Sequence, residues 1–109
     1  MLNTKSYHVE TFKTLLNQSR LIEAVHHIQF FLHIRDISEV DLWICICECL
    51  KLKQWRISHI ILRDALRVYP KNILFLKNTA ILATKFGFYR EAFVICNQLL
   101  ELDQSLDSL

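Results

Sequence analysis

Residues 87–104 read GFYREAFVICNQLLELDQ, and the spacing of their aromatic and small side chains recurs twice earlier in the chain. Leu21, Trp55 and Tyr89 are equally spaced, each 34 positions after the one before. Three positions beyond each of them lies a small side chain: Ala24, Ser58 and Ala92. A fixed repeat period of this size is the signature of a repeat architecture. The sequence therefore predicts three units, residues about 5–38, 39–72 and 73–106.

Apolar residues follow a helical period within each unit, which predicts a pair of helices per unit and six in all. Turn-forming residues interrupt that period at five places: 17–20, 35–38, 51–54, 70–72 and 86–88. The third helix has Asp36 or Ser38 as its candidate N-cap, and the fifth has Asn72. One Gly and one Pro among 109 residues leave few positions for hairpin turns, so we expect an all-α fold.

Composition favours one folded domain spanning residues 1–109. Hydrophobic residues make up 52% of the chain, which is too many for a disordered protein. The formal net charge is +2, whereas nucleic-acid-binding domains usually have a strongly basic face. The sequence contains no apolar run of about 18 residues and begins without an apolar signal segment. We therefore expect a cytoplasmic protein that makes no contact with membranes.

The third unit resembles the tetratricopeptide repeat (TPR) family, whose helix-turn-helix unit has the same period. The matching residues are Gly87, Tyr89, Glu91, Ala92, Leu100, Glu101, Leu102 and Asp103. The second unit keeps Trp55, Ala65 and Pro70, and the first unit is the most divergent. Phe12 and Ile46 stand where the family has a small residue in the first helix of each unit. The resemblance implies a right-handed solenoid of three helix pairs, here without a long capping helix after Leu102.

The cysteines predict packing, with no disulfide and no metal site. Cys45, Cys47 and Cys49 fall on one predicted helix, whereas structural zinc sites usually use C-x2-C pairs on turns. Cys45 and Cys49 cannot both pair with Cys96, so we expect free thiols. In the repeat register Cys45, Cys49 and Cys96 face the core. Cys47 faces the predicted groove and is expected to be the most reactive thiol.

The sequence also predicts that this protein is not an enzyme and has no cofactor. Its neighbouring histidines, His26 and His27, point about 100° apart on a helix and cannot share one metal ion. No Ser-His-Asp set, phosphate-binding loop or dinucleotide-binding motif is present in the sequence. A catalytic interpretation therefore lacks a candidate nucleophile.

By the resemblance, one face of each first helix lines a concave groove. This face contains Val9, Lys13, Leu16 and Asn17, then Trp43, Cys47, Leu50 and Lys51, then Leu74, Lys77, Ile81, Thr84 and Lys85. It has no acidic residue, and its lysines surround an apolar floor with Trp43 as an aromatic anchor. Such a groove suits an amphipathic helix that carries acidic residues. The alternative is that the apolar residues only pack helices and the lysines form a solvated rim.

A second predicted binding surface lies on the last helix. Phe93, Cys96, Leu99 and Leu100 form an apolar flank, and the residues after Leu102 are too few and too polar to cover it. Uncovered apolar strips of this kind usually mark a partner or self-association site.

The size, the three units and the missing cap resemble the TPR-containing chaperones of bacterial type III secretion. The resemblance is in particular to those that hold the needle subunit together with a small helical co-chaperone. It implies a small cytoplasmic chaperone that sequesters an amphipathic helix of a secretion-system subunit in a heterodimer. A passive assembly scaffold that uses its terminal or convex surfaces is the alternative. An RNA-binding repeat protein is a third hypothesis, disfavoured by the near-neutral charge and the lack of Arg in the groove.

Overall fold

The computed structural model describes residues 4–107, with side chains over residues 7–103. These residues form six α-helices: α1 (Thr4–Asn17), α2 (Leu21–His33), α3 (Glu39–Lys51), α4 (Trp55–Val68), α5 (Ile73–Lys85) and α6 (Tyr89–Asp107). The five predicted interruptions coincide with the five connections between helices. The all-α prediction and the count of six helices are confirmed for this part of the chain.

The helices pack in chain order. Within the predicted units α1 packs against α2, α3 against α4, and α5 against α6. Contacts of α1 with α3, of α2 with α4 and of α4 with α5 join these pairs. Each pair therefore lies against its neighbour in the sequence, and one continuous core runs through the first two pairs into α5.

The turn inside each helix pair has the same backbone conformation. Ser19, Lys53 and Gly87, which are separated by one repeat period each, have positive φ values of 59°, 58° and 80°. The residue after each of them donates its N–H to a carbonyl five positions back, at 2.8–2.9 Å: Arg20 to Leu15, Gln54 to Cys49 and Phe88 to Ala83. A left-handed residue followed by this hydrogen bond is the Schellman ending of a helix. Arg35, between α2 and α3, has the same φ of 59°, and the Asp36 N–H bonds to the Phe31 carbonyl at 2.8 Å, so this ending also occurs between two helix pairs.

Two of the three predicted N-cap residues cap their helices. The Ser38 hydroxyl accepts a hydrogen bond from the Asp41 N–H at 3.1 Å, and Oδ1 of Asn72 accepts one from the Phe75 N–H at 2.9 Å. Both side chains satisfy a backbone donor that the first helical turn leaves free. Asp36, the alternative cap for α3, is exposed in the preceding turn.

The core is built from large side chains at helix interfaces and small ones where helices cross. The fully buried large residues include Phe12, Ile28, Leu42, Ile46, Ile61, Leu62, Phe75 and Leu76. Phe12 and Ile46 therefore occupy core volume at positions where the TPR family has a small residue. Ala24 and Ser58 are completely buried, and Ala92 is nearly so.

The crossing position in α2 provides a first prediction. Ala24→Leu should lower the free energy of unfolding by about 1–3 kcal/mol, because a larger side chain there forces α2 away from its neighbours. His26→Leu, on the exposed side of the same helix, is the matched control and should change stability little. Urea denaturation followed by circular dichroism measures both. Equal stability of the two variants would show that Ala24 is not at a tight crossing.

Candidate functional site

The outward side of α3 presents apolar residues around Trp43. The Trp43 ring is half-buried, and its centroid lies 6.1 Å from that of Phe75 on α5. Val40 and Ile44, which the sequence analysis did not assign to the groove, are exposed beside it. The sequence could have indicated both residues, because each is apolar and they stand three positions before and one position after Trp43. Three further predicted groove residues lie on this helix, with Cys47 and Leu50 half-buried and Lys51 exposed.

On α5 the predicted groove residues all lie at the surface. Leu74 and Ile81 are exposed, Ile81 to 64%, and the side chains of Lys77 and Lys85 are exposed as well. The Lys85 ammonium lies 5.0 Å from the centroid of the Trp55 ring on α4, which is a cation–π distance. The α3/α5 surface, as we name it, consists of Val40, Trp43, Ile44, Cys47, Lys51, Leu74, Lys77, Ile81 and Lys85.

The predictions for α1 need correction. Val9 and Leu16 are buried in the core and do not line an open surface. Lys13 is half-buried, and its ammonium lies 4.0 Å from the carboxylate of Glu48 on α3. Packing of α1 against α3 causes both outcomes. Lys13 therefore belongs to an interhelix ion pair, and the α3/α5 surface carries the remaining lysines.

The predicted second surface is exposed on α6. Phe93 and Leu100 project into solvent, with exposures of 67% and 58%, while Leu99 is half-buried. The prediction that Cys96 faces the core is wrong, because Cys96 is exposed on α6. An open cleft of about 590 Å³ runs between α5 and α6. This α5–α6 cleft is lined by Ile73, Lys77, Cys96, Leu99, Leu100 and Asp103, so it joins a predicted groove lysine to the second surface.

The buried thiols are poor metal ligands. Desolvation by burial, with a smaller effect of nearby charges, raises the pKa of Cys45 and of Cys49 to about 12. Burial also raises the pKa of Cys47, which is less enclosed. Only the thiolate binds metal or attacks electrophiles, so these groups are held in their inert form. Between residues 7 and 103, no three His, Cys, Asp or Glu side chains come together as a metal site.

A polar cluster that the sequence analysis missed joins α4 to α6. His59 is buried, and its Nε2 lies 3.2 Å from the Glu91 carboxylate. Nε of Arg63 lies 3.3 Å from the same carboxylate. The His59 ring also stacks on Phe88 at a centroid distance of 5.7 Å. The repeat register could have predicted that His59 is buried, because His59 stands one repeat period after Val25, which is also buried.

A second histidine pair connects the first two helices. His8 is buried, with its ring 5.6 Å from that of His27 and 4.2 Å from that of Phe31. Burial, and to a smaller extent the proximity of His8, lowers the pKa of His27. The predicted pair His26 and His27 is split as expected, with His26 exposed and His27 half-buried. The rings of His8 and His27 therefore pack against each other and against Phe31.

Over residues 4–107, every helix is too short or too polar to cross a membrane. The chain matches no protein-family model, no curated protein and no solved structure.

Proposed function

We propose that this chain is a non-enzymatic protein-binding module whose three helix pairs form a TPR-like right-handed solenoid. The recurrence of the left-handed turn residue at every repeat period supports this arrangement, since identical turns repeat the same helix-pair geometry. The α3/α5 surface then corresponds to the concave face.

The observation that carries the proposal is the combination of exposed apolar side chains and lysines on the α3/α5 surface. Val40, Leu74 and Ile81 are apolar and exposed, although solvent is an unfavourable environment for them. Lys51, Lys77 and Lys85 lie on the same two helices. An amphipathic helix would bury its apolar side on this surface and place acidic residues near the lysines. We infer a small cytoplasmic chaperone that holds such a helix of a secretion-system subunit.

The test begins with the partner that co-purifies with the chain at moderate salt, identified by mass spectrometry. Trp43→Ala should then weaken its binding by about thirtyfold, equivalent to about 2 kcal/mol, because buried aromatic anchors dominate interface energies. Phe30→Ala, which removes an exposed aromatic ring from α2, is the matched control and should bind normally. Isothermal titration calorimetry gives the affinities.

A second variant separates binding from folding. Trp43 packs against Phe75, so its replacement also removes a core contact. Ile81 is largely exposed, and Ile81→Asp leaves the core intact while placing a charge on the surface. Normal binding by both Trp43→Ala and Ile81→Asp would contradict the proposal. Replacing Lys51 and Lys85 by acidic residues should mainly slow the association of the partner with the chain and reduce the salt dependence of that rate.

The passive scaffold is a second candidate, favoured by the exposure of Phe93 and Leu100 on α6. It makes the opposite prediction, in which Phe93→Ser abolishes the complex and Ile81→Asp leaves it intact. Circular dichroism of each variant provides the folding control. The same titrations therefore distinguish the two functions.

A further inference from the structure

The exposed side of α6 carries residues whose counterparts one unit earlier are buried. Phe93 corresponds to His59, and Cys96 corresponds to Leu62, each one repeat period earlier. His59 and Leu62 on α4 have exposures of 5% and 0%, and the ring of Phe88 and the carboxylate of Glu91 lie against His59. Phe93 is 67% exposed, and the Cys96 thiol is exposed as well. This side of α6 therefore has the form of a packing surface that the other described residues leave open.

Four exposed residues form a continuous seam along α6. Tyr89, Phe93, Cys96 and Leu100 follow one another at intervals of four, three and four residues. This is the heptad spacing that places side chains in a narrow stripe for pairing with another helix. The α6 seam, defined by these four residues, borders the α5–α6 cleft through Cys96 and Leu100.

The charges beside the α6 seam are arranged so that two antiparallel copies of α6 complement each other. Arg90 and Glu101 are both exposed and stand eleven residues apart, which is about three helical turns, so they lie on the same flank. They are almost equally distant from Cys96, one toward each end of the helix. When a second α6 lies antiparallel across the first with its centre at Cys96, Arg90 of each copy faces Glu101 of the other.

We propose that the chain forms a homodimer in which the α6 helices of two copies pair antiparallel through the α6 seam. A two-fold axis at Cys96 brings Phe93 of one copy to the level of Leu99 and Leu100 of the other. There the open cleft beside Leu100 receives the ring. A two-fold interface must be complementary to itself. The α6 seam supplies the apolar half from each copy, and Arg90 and Glu101 beside it supply both charge pairs. The proposal does not depend on the client-binding function, because it needs no second protein.

Sedimentation equilibrium of the purified full chain over micromolar concentrations tests the dimer. The wild type should be dimeric, and Phe93→Asp should raise the dimer dissociation constant by at least about tenfold, since it places a charge in an apolar centre. Phe30→Asp introduces the same charge at an exposed aromatic on α2 and should remain dimeric. A monomeric wild type, or a Phe93→Asp variant as dimeric as the control, would overturn the proposal.

A charge swap tests the orientation without disturbing the apolar seam. Arg90→Glu should weaken the dimer because two acidic residues then face each other, and the double variant Arg90→Glu with Glu101→Arg should restore it. A short bismaleimide should also join two copies through Cys96, and Cys96→Ser should eliminate that product. Failure of the double variant to restore dimerisation, or cross-linking that survives in Cys96→Ser, would overturn the antiparallel arrangement.

Discussion

Phe75→Ala should lower the free energy of unfolding by about 3–5 kcal/mol, the usual cost of removing a buried aromatic ring. Phe75 is completely buried in α5. Its ring centroid lies 6.1 Å from that of Trp43 on α3 and 6.3 Å from that of Tyr69, which follows α4. The Tyr69 hydroxyl in turn donates a hydrogen bond to the Ile37 carbonyl at 3.0 Å. One ring thus links three helices and the turn before α3.

Urea denaturation monitored by circular dichroism gives the loss of stability. Phe30→Ala is the matched control, because this exposed ring on α2 should cost less than about 1 kcal/mol. A loss below about 1 kcal/mol for Phe75→Ala would contradict the packing of α5 against α3 and the end of α4. Because Trp43 lies against Phe75, the same variant should also weaken the binding that we propose for the α3/α5 surface.

The second large effect concerns thiol reactivity. Cys96 should react with N-ethylmaleimide first, Cys47 more slowly, and Cys45 and Cys49 only when the protein unfolds. At pH 8 a thiol with pKa about 12 has roughly 10³-fold less thiolate than an ordinary cysteine. Burial also blocks the approach of N-ethylmaleimide to these two thiols. Raising the pH from 8 to 9 increases the thiolate fraction of such a thiol about tenfold, so a much smaller increase in its alkylation rate would show that burial limits the reaction.

Mass spectrometry of peptides after timed alkylation measures the four rates separately. Alkylation in urea provides the control, since all four thiols should then react at similar rates. Early modification of Cys45 under native conditions would contradict the position of α3 in the core. If the α6 helices pair as proposed, Cys96 should also react more slowly at high protein concentration than in the Phe93→Asp variant.

Helix positions could be predicted closely because their signals are local. Ser38 and Asn72 cap their helices through bonds within three residues, and apolar periodicity extends only as far as each helix. The repeat period added the register, which correctly placed Ala24 and Ser58 at buried positions.

Which side chains are exposed could be predicted less well, because the exposure of a side chain depends on which neighbouring helix packs over it. The repeat register predicts that Cys96 faces the core, yet α5 packs on the neighbouring Ile95 and leaves Cys96 exposed at the open α5–α6 cleft. Val9 has a groove register, yet α1 packs so that this side chain enters the core. The pairing of Lys13 with Glu48 depends on the approach of α1 to α3, which periodicity does not specify.

The turns at Ser19, Lys53 and Gly87 show what fixes the backbone conformation between the two helices of each pair. A left-handed backbone costs an L-residue about 1–2 kcal/mol relative to its right-handed form, and only Gly87 among the three avoids that cost. Ser19 and Lys53 adopt nearly the same torsion with side chains in place, so the packed helices must impose it on them. The conformation at these turns is therefore set by the helices that pack around them, whichever residue type occupies the position.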